Sequence, residues 1–599
     1  MNLSHLTYTT QARSASALNI ILFLALIASI LSPFPQAPGP LTPEQLAEYK
    51  KVGQVSLSDT RGLGAYLSAR VAKKNGDIYQ SAKLFERSLD YAPPHLHHKI
   101  ADQGLIAALE AGKMDLAQKF ADQLGQGGQD IFMVDMLELV QHINQDQFMI
   151  ARSILKGMRG NALADGYIKP LIGAWLTIDR DGKSALKELE KRIEDSDELA
   201  GVYYYHLGMM ADYIGAVEMA RGYYDQAVDR YTHLSTILRA AEFYHRNGDE
   251  ELAMQILKNQ AGQPLAMAKA IQLLENENGL SHWKLTGPGQ GVAQTLSDLA
   301  TILSKERMIR PAMIYARLAD HLYPDHAMID LLIADLVVAL DHGSAAINYY
   351  SPVTNDLSSP LAPLASLQLA YLYEANGKID RAEAKFKQLT TVSDHPAAGQ
   401  ALADFYRRQD RFTDALAKYN QLINDIAEAQ KADWDIFYGR GVVYERMGNW
   451  AAAEDDLKVA IKLNPESALA LNYLGYSWAD QGVHLDQALD YIKKAVRLRP
   501  EDGFIIDSLG WAYYQMGRFE DALPHLEKAA SLEPTDPTII AHLGDVYWKV
   551  GRRIEARFQW QRALDFTQDP EEIIGLEKKL AEGVPAPAII KQQAERAPK

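Results

Sequence analysis

The chain has 599 residues, 47% of them apolar and 23% charged, the balance of a folded protein with ample core material rather than of a disordered chain. Its 61 Lys and Arg stand against 77 Asp and Glu, a net charge of −16, so no general field draws it to nucleic acid or to anionic lipid headgroups. Cysteine is absent, which excludes disulfides, thiolate zinc sites, thiol catalysis and lipid attached through cysteine.

Residues 1–32 read as a signal peptide or signal anchor. Ala17 to Leu31 is an apolar run interrupted only by Asn19 and Ser29, preceded by Arg13 and by no acidic residue, the charged start and hydrophobic middle of an export signal. The small residues that would mark a cleavage site, Ser32, Ala37 and Gly39, are each followed by proline, which favours an uncleaved anchor over a cleaved signal. With Arg13 on the cytoplasmic side, the positive-inside rule carries everything after Leu31 across the membrane. Pro33, Pro35, Pro38, Pro40 and Pro43 make residues 33–61 a stiff, extended tether and lead-in.

The rest of the chain keeps a beat. Gly441, Gly475, Gly510 and Gly544 follow one another at steps of 34, 35 and 34 residues. Three residues after each stands Tyr444, Trp478, Tyr513 or Tyr547, and at the turn Gly448, Gly482, Gly517 or Gly551. Then come Ala453, Ala488, Ala522 and Ala556, bulky Leu457, Ile492, Leu526 and Trp560, and Ala460, Ala495, Ala529 and Ala563. Spacings of three and four place each set on one helical face. Two amphipathic helices must therefore pair, and because neither buries its other apolar edge alone, successive pairs must stack. The pattern resembles the tetratricopeptide repeat (TPR), whose small residues let paired helices touch.

Upstream the beat persists, with the small residue of the second helix at Ser81, Ala117, Ala151, Ala185, Ala220, Ala253, Ala312, Ala346, Ala382 and Ala415. Fourteen units are expected, starting near 62, 98, 132, 166, 201, 234, 293, 327, 363, 396, 434, 468, 503 and 537. The resemblance implies an all-α fold, a TPR α-solenoid wound as a right-handed superhelix behind the N-terminal signal-anchor helix. The expected organisation is a degenerate array over 62–265, a hinge over 266–292 where the step lengthens, a second array over 293–568, a capping helix at 569–584 and a flexible tail at 585–599. The hinge contains Gly287-Pro288-Gly289-Gln290-Gly291, which is no phosphate loop because no strand precedes it and no Gly-Lys-Ser/Thr follows.

The strings Leu-Asn-Tyr-Leu-Gly-Tyr (471–476), Asp-Ser-Leu-Gly-Trp-Ala-Tyr-Tyr (507–514) and His-Leu-Gly-Asp-Val-Tyr-Trp (542–548) are similar to those of long TPR proteins of Gram-negative cell envelopes. Some of those proteins are lipoprotein adaptors for a carboxyl-terminal-processing protease; this chain departs from them in having no cysteine to acylate. The resemblance implies a protein or peptide ligand, such as an envelope protease or assembly factor. It places the chain on the periplasmic side of the bacterial inner membrane, or in the soluble periplasm if the signal is cleaved, ahead of the cytoplasm.

In TPR proteins the first helix of each pair lines the concave side through positions 2, 5, 9 and 12. Transferred to the last four units, those positions give an aromatic strip of Tyr438, Tyr476, Trp511, Tyr514 and Trp548, flanked by Asn472, Asp507 and Asp545. Aromatic rings with polar tips suit a peptide or helix; packing between neighbouring helices is the other use for them. His95-x-His97-His98 has no carboxylate pair nearby and reads as a solvated turn, so neither metal nor cofactor is expected. No carboxylate, His or Ser combination has the spacing of acid–base or nucleophilic chemistry, so no enzyme is expected. The leading expectation is a membrane-tethered scaffold or adaptor that binds a protein; the alternative is an accessory subunit of a polysaccharide or cell-wall synthesis or export system.

Overall fold

The computed structural model describes residues 57–584 apart from 126–131, 160–163, 196–198, 261–262, 277–279 and 281–282. The expected signal anchor, nearly all of the tether and the tail at 585–599 lie outside the described residues. Among the described residues no helix is long and apolar enough to cross a membrane.

Those residues form α-helices and no strand. The first pairs are α1 (Leu57–Lys74) with α2 (Ile78–Tyr91), α3 (His97–Glu110) with α4 (Met114–Gly125), and α5 (Phe132–Asn144) with α6 (Phe148–Gly157). Next come α7 (Lys169–Trp175) with α8 (Gly182–Asp195), α9 (Ala200–Tyr213) with α10 (Val217–Arg230), and α11 (Leu234–Arg246) with α12 (Glu250–Lys258). A single helix, α13 (Pro264–Glu275), precedes α14 (Pro288–Lys305) with α15 (Ile309–Leu322) and α16 (Ala327–Ala339) with α17 (Gly343–Asn355). Then follow α18 (Ala362–Ala375) with α19 (Ile379–Val392), α20 (Pro396–Arg408) with α21 (Phe412–Asp425), and α22 (Trp434–Arg446) with α23 (Trp450–Leu463). The last pairs are α24 (Ala468–Asp480) with α25 (Leu485–Leu498), α26 (Gly503–Gln515) with α27 (Phe519–Leu532), and α28 (Pro537–Lys549) with α29 (Arg553–Phe566). A final single helix, α30 (Pro570–Glu582), stands where a cap is expected.

The small residues explain the pairing. The small residues at the repeat position of the second helices, from Ser81 to Ala556, are all buried, and the facing glycines at 475 and 510 leave no room for a side chain. A Cβ at Gly510 would come within 2.5 Å of Leu526 Cγ and 3.3 Å of the Ala522 carbonyl, and one at Gly475 within 2.8 Å of Ile492. The tight turns between paired helices use left-handed backbone at Gly448, Gly482, Gly517 and Gly551, a conformation that costs glycine little. Asn449, Ser467, Asp502, Asp536 and Asp569 cap the helices that follow them, each satisfying an otherwise free N–H.

The chain divides into two compact units at Ala398 and Gly399. The stretch expected as a hinge, 266–292, lies inside the first of them: it carries most of α13 and the start of α14, and Leu273, Leu274, Leu280, Trp283 and Leu285 are buried in a core that runs from Ala69 to Leu372. The division by contacts falls more than a hundred residues further on, because the apolar side chains between α12 and α14 are drawn into that core.

Within the first unit, α14 and α15 pack against the first helices α3, α5, α7 and α9, and Arg239 of α11 reaches Gln294 of α14 at 3.4 Å. Helix α14 is buried on nearly every side, including the polar Gln294, Thr295, Ser297 and Asp298, so each needs a partner. Asp298 accepts from His206 of α9 at 3.1 Å and from Gln294 at 3.0 Å. Glu110 of α3, also buried, is paired with Arg310 of α15 at 2.9 Å. Gly291 lies so close to the Trp175 indole that no Cβ would fit. The first helices of the early pairs are thus covered by the chain's own later helices.

Candidate functional site

The second unit keeps regular pairs from α22 to α29, and there the expected strip of rings can be followed along the first helices. Tyr438 of α22 is half-buried, edge-on to Tyr473 of α24 at 5.9 Å. The Tyr473 hydroxyl donates to Glu445 at 3.0 Å. Asn472 and Tyr476 stand one turn apart on α24, both half-buried. Among the described residues Asn472 Oδ1 is buried with no hydrogen-bond partner. Burial first, then the carboxylates of Asp480, Asp507 and Glu445, push the Tyr476 hydroxyl well above its ordinary pKa.

On α26, Trp511 is half-buried between two flat partners: His542 of α28 stacks at 3.9 Å and Tyr514 at 4.8 Å between ring centres. Its indole N–H donates to Asp480 at 3.0 Å. Asp507, expected to flank a ligand, is instead buried and receives the His542 Nδ1–H at 2.9 Å. Burial opposes charge on this imidazole, but the adjacent Asp507 carboxylate prevails and raises its pKa. Tyr514, expected on the open strip, is only 3% exposed; Trp511 covers its face and Phe519 its edge. Among the described residues its hydroxyl has no hydrogen-bond partner.

The far end of the strip is closed. Asp545 is buried and accepts from the Trp560 indole and from Lys579 of α30, both at 2.8 Å. Trp548 leans on Trp560 at 5.4 Å, with Arg553 over its ring at 5.1 Å and Gly583 against it. Asp507 is thus engaged by His542 of the next repeat, Asp545 by Lys579 of α30, and Tyr514 is covered by Trp511 and Phe519 of its own repeat, while Trp548 is half-buried against Trp560. Tyr438, Asn472, Tyr476 and Trp511 remain half-buried on the first helices α22, α24 and α26.

Glu445 lies at position 12 of its repeat. Asp480, Tyr473 and His542 sit one residue off the transferred positions, and Lys579 lies outside the repeats, so the spacing alone passes over them. Asp507, at position 5 of its repeat, meets His542, one residue past the equivalent position of the next repeat, so matching equivalent positions does not pair them either. In the first unit His97 bonds to the Ala92 carbonyl at 2.9 Å; among the described residues no three His, Asp or Glu side chains stand together as metal ligands.

A family model described as TPR repeat matches residues 510–551, and one described as tetratricopeptide repeat matches residues 367–433 and 438–503. Among solved structures, the chain is similar to the APC/C hetero-tetramer Cut9–Hcn1, with 14% identity and a TM-score of 0.36 over 90% of this chain and 99% of that one. It is also similar to a tetratricopeptide repeat protein from Parabacteroides merdae, with 15% identity and a TM-score of 0.32 over 48% and 99%. A third is a thermophilic TPR protein of Thermus thermophilus, with 20% identity and a TM-score of 0.28 over 31% and 100%. No curated protein matches the sequence.

Proposed function

Because this chain is a tetratricopeptide-repeat protein, we propose that it is a non-catalytic interaction scaffold that takes a protein partner on the concave face of its second unit. The observation that carries this reading is the contrast between the two units. The first helices α3 to α11 are spent on α14 and α15, whereas α22, α24 and α26 keep Tyr438, Tyr476, Trp511 and Phe504 partly or largely open. Half-open rings on rigid helices give contact area at low entropic cost. The N-terminal run Ala17–Leu31 supports a place at the membrane, with the repeats on its periplasmic side.

Photo-crosslinking tests the face. A benzophenone side chain at position 504 or 476 of the full chain should yield a discrete adduct in cells, while one at Lys494 on the second helix α25 should not. Equal adducts at all three positions, or adducts only at 494, would sink the proposal. Removal of residues 1–40 tests the location: retention of the truncated chain on washed membranes as strong as that of the full chain would refute the anchor.

A further inference from the structure

The concave face of the second unit differs across its width. Near the N-terminal ends of the first helices two large apolar side chains stand in water, Leu469 of α24 at 38% exposure and Phe504 of α26 at 53%, at equivalent positions of consecutive repeats. At the C-terminal ends stand carboxylates: Glu445 is next to last in α22 and Asp480 is last in α24. About 15 Å of helix, at 1.5 Å per residue, separates the two rims, and Tyr438, Tyr476 and Trp511 lie between them.

The acidic rim is not something the helices need. A carboxylate at a helix C-terminus adds to the partial negative charge already there, where a cation would be favoured. Glu445 and Asp480 are held by neutral donors, the Tyr473 hydroxyl and the Trp511 indole, so their charge is not cancelled. Arg446, at the same end of α22, lies 3.7 Å from Asp410. The carboxylates that raise the Tyr476 hydroxyl pKa are these two and Asp507, the last already engaged by His542. On the same stripe, Asn472 Oδ1 and the hydroxyl of the buried Tyr514 lack hydrogen-bond partners among the described residues.

We propose that this face receives a basic amphipathic segment of the partner, with its apolar side chains on Leu469 and Phe504 and a lysine or arginine over Tyr476 between Glu445 and Asp480. The proposal rests on the scaffold reading and names the chemistry of its partner. A cation over a tyrosine ring is attracted by the ring quadrupole, and carboxylates with neutral donors accept its N–H groups in charge-assisted bonds. An acidic segment would meet like charge at Glu445 and Asp480.

The test is fluorescence anisotropy on the full chain with two labelled peptides of equal length, a leucine/arginine amphipathic helix and its leucine/glutamate twin. The arginine peptide should bind, and binding should weaken roughly tenfold or more in Glu445→Gln/Asp480→Asn and in Phe504→Ser. Asp486→Asn/Asp490→Asn on α25, which removes the same charge from exposed positions of a second helix, should leave it unchanged. Equal weakening in that control would reduce the effect to general acidity and overturn the proposal. So would binding of the glutamate twin, or failure of both peptides to bind. Where crosslinking at 504 still yields an adduct, only the basic partner falls; where it does not, the scaffold reading falls as well.

Discussion

His542 of α28 donates from Nδ1 to Asp507 of α26 at 2.9 Å, and its ring lies flat on Trp511 at 3.9 Å. One buried pair thus joins two consecutive repeats and sets the plane of the half-buried Trp511 ring.

This pair makes the second unit sensitive to pH. Asp507 raises the pKa of His542 above the ordinary imidazole value of about 6.5. Its contribution to stability is therefore complete below that value and is lost as pH rises through the folded-state pKa. Thermal melts should show the second unit more stable in mildly acidic than in mildly alkaline buffer, and His542→Gln should flatten that difference. An unchanged pH slope in the variant would remove the pair as its cause.

The close approach at Gly510 separates packing from helix propensity. Gly510→Ala should destabilise the second unit by about 1–3 kcal/mol, because its Cβ meets Leu526 and overpacks the pair. Gly575→Ala, in α30 with nothing within 4 Å of its Cβ, should stabilise by roughly 0.5–1 kcal/mol through helix propensity alone. Denaturant unfolding of both variants checks the opposite signs.

Two rings near the closed end should behave differently from an open strip. Trp560→Ala removes a fully buried indole and leaves Asp545 without one of its donors, at a cost of about 3–5 kcal/mol. Tyr514→Phe deletes a buried hydroxyl that has no partner among the described residues and should leave the melting temperature unchanged or raise stability by about 1 kcal/mol. A marked loss in Tyr514→Phe would mean that the hydroxyl is bonded in the folded chain.

In the first unit, His206→Ala should remove one of the donors to the buried Asp298 carboxylate, leaving Gln294, and cost about 1–3 kcal/mol, the range for a lost hydrogen bond to a buried group. Hydrogen exchange should report the loss together in α9 and α14, whose side chains share that contact. Protection lost in α9 alone would show that α14 is held by other contacts.

What the sequence by itself determined is whatever depends on a residue's nearest repeat. Gly475, Gly510, Ala488 and Ala522 mark the helix contacts because each pair must close on itself, and that demand recurs at every step of the chain. The cap was legible for the same reason: Asp569 and Pro570 begin a helix just where the last pair leaves an apolar face uncovered. What only the tertiary structure decided depends on how far the array turns. Arg310 finds Glu110 from 200 residues away, and α14 enters the face of α7, α9 and α11, which no local spacing encodes. Likewise Tyr476 and Tyr514 occupy equally good concave positions in the repeat pattern, yet one stays partly open and the other is covered by Trp511 and Phe519. Burial of a ring depends on which side chains meet over it in three dimensions, here Trp511 one turn earlier and Phe519 on the paired helix, and the period marks a position without specifying those contacts.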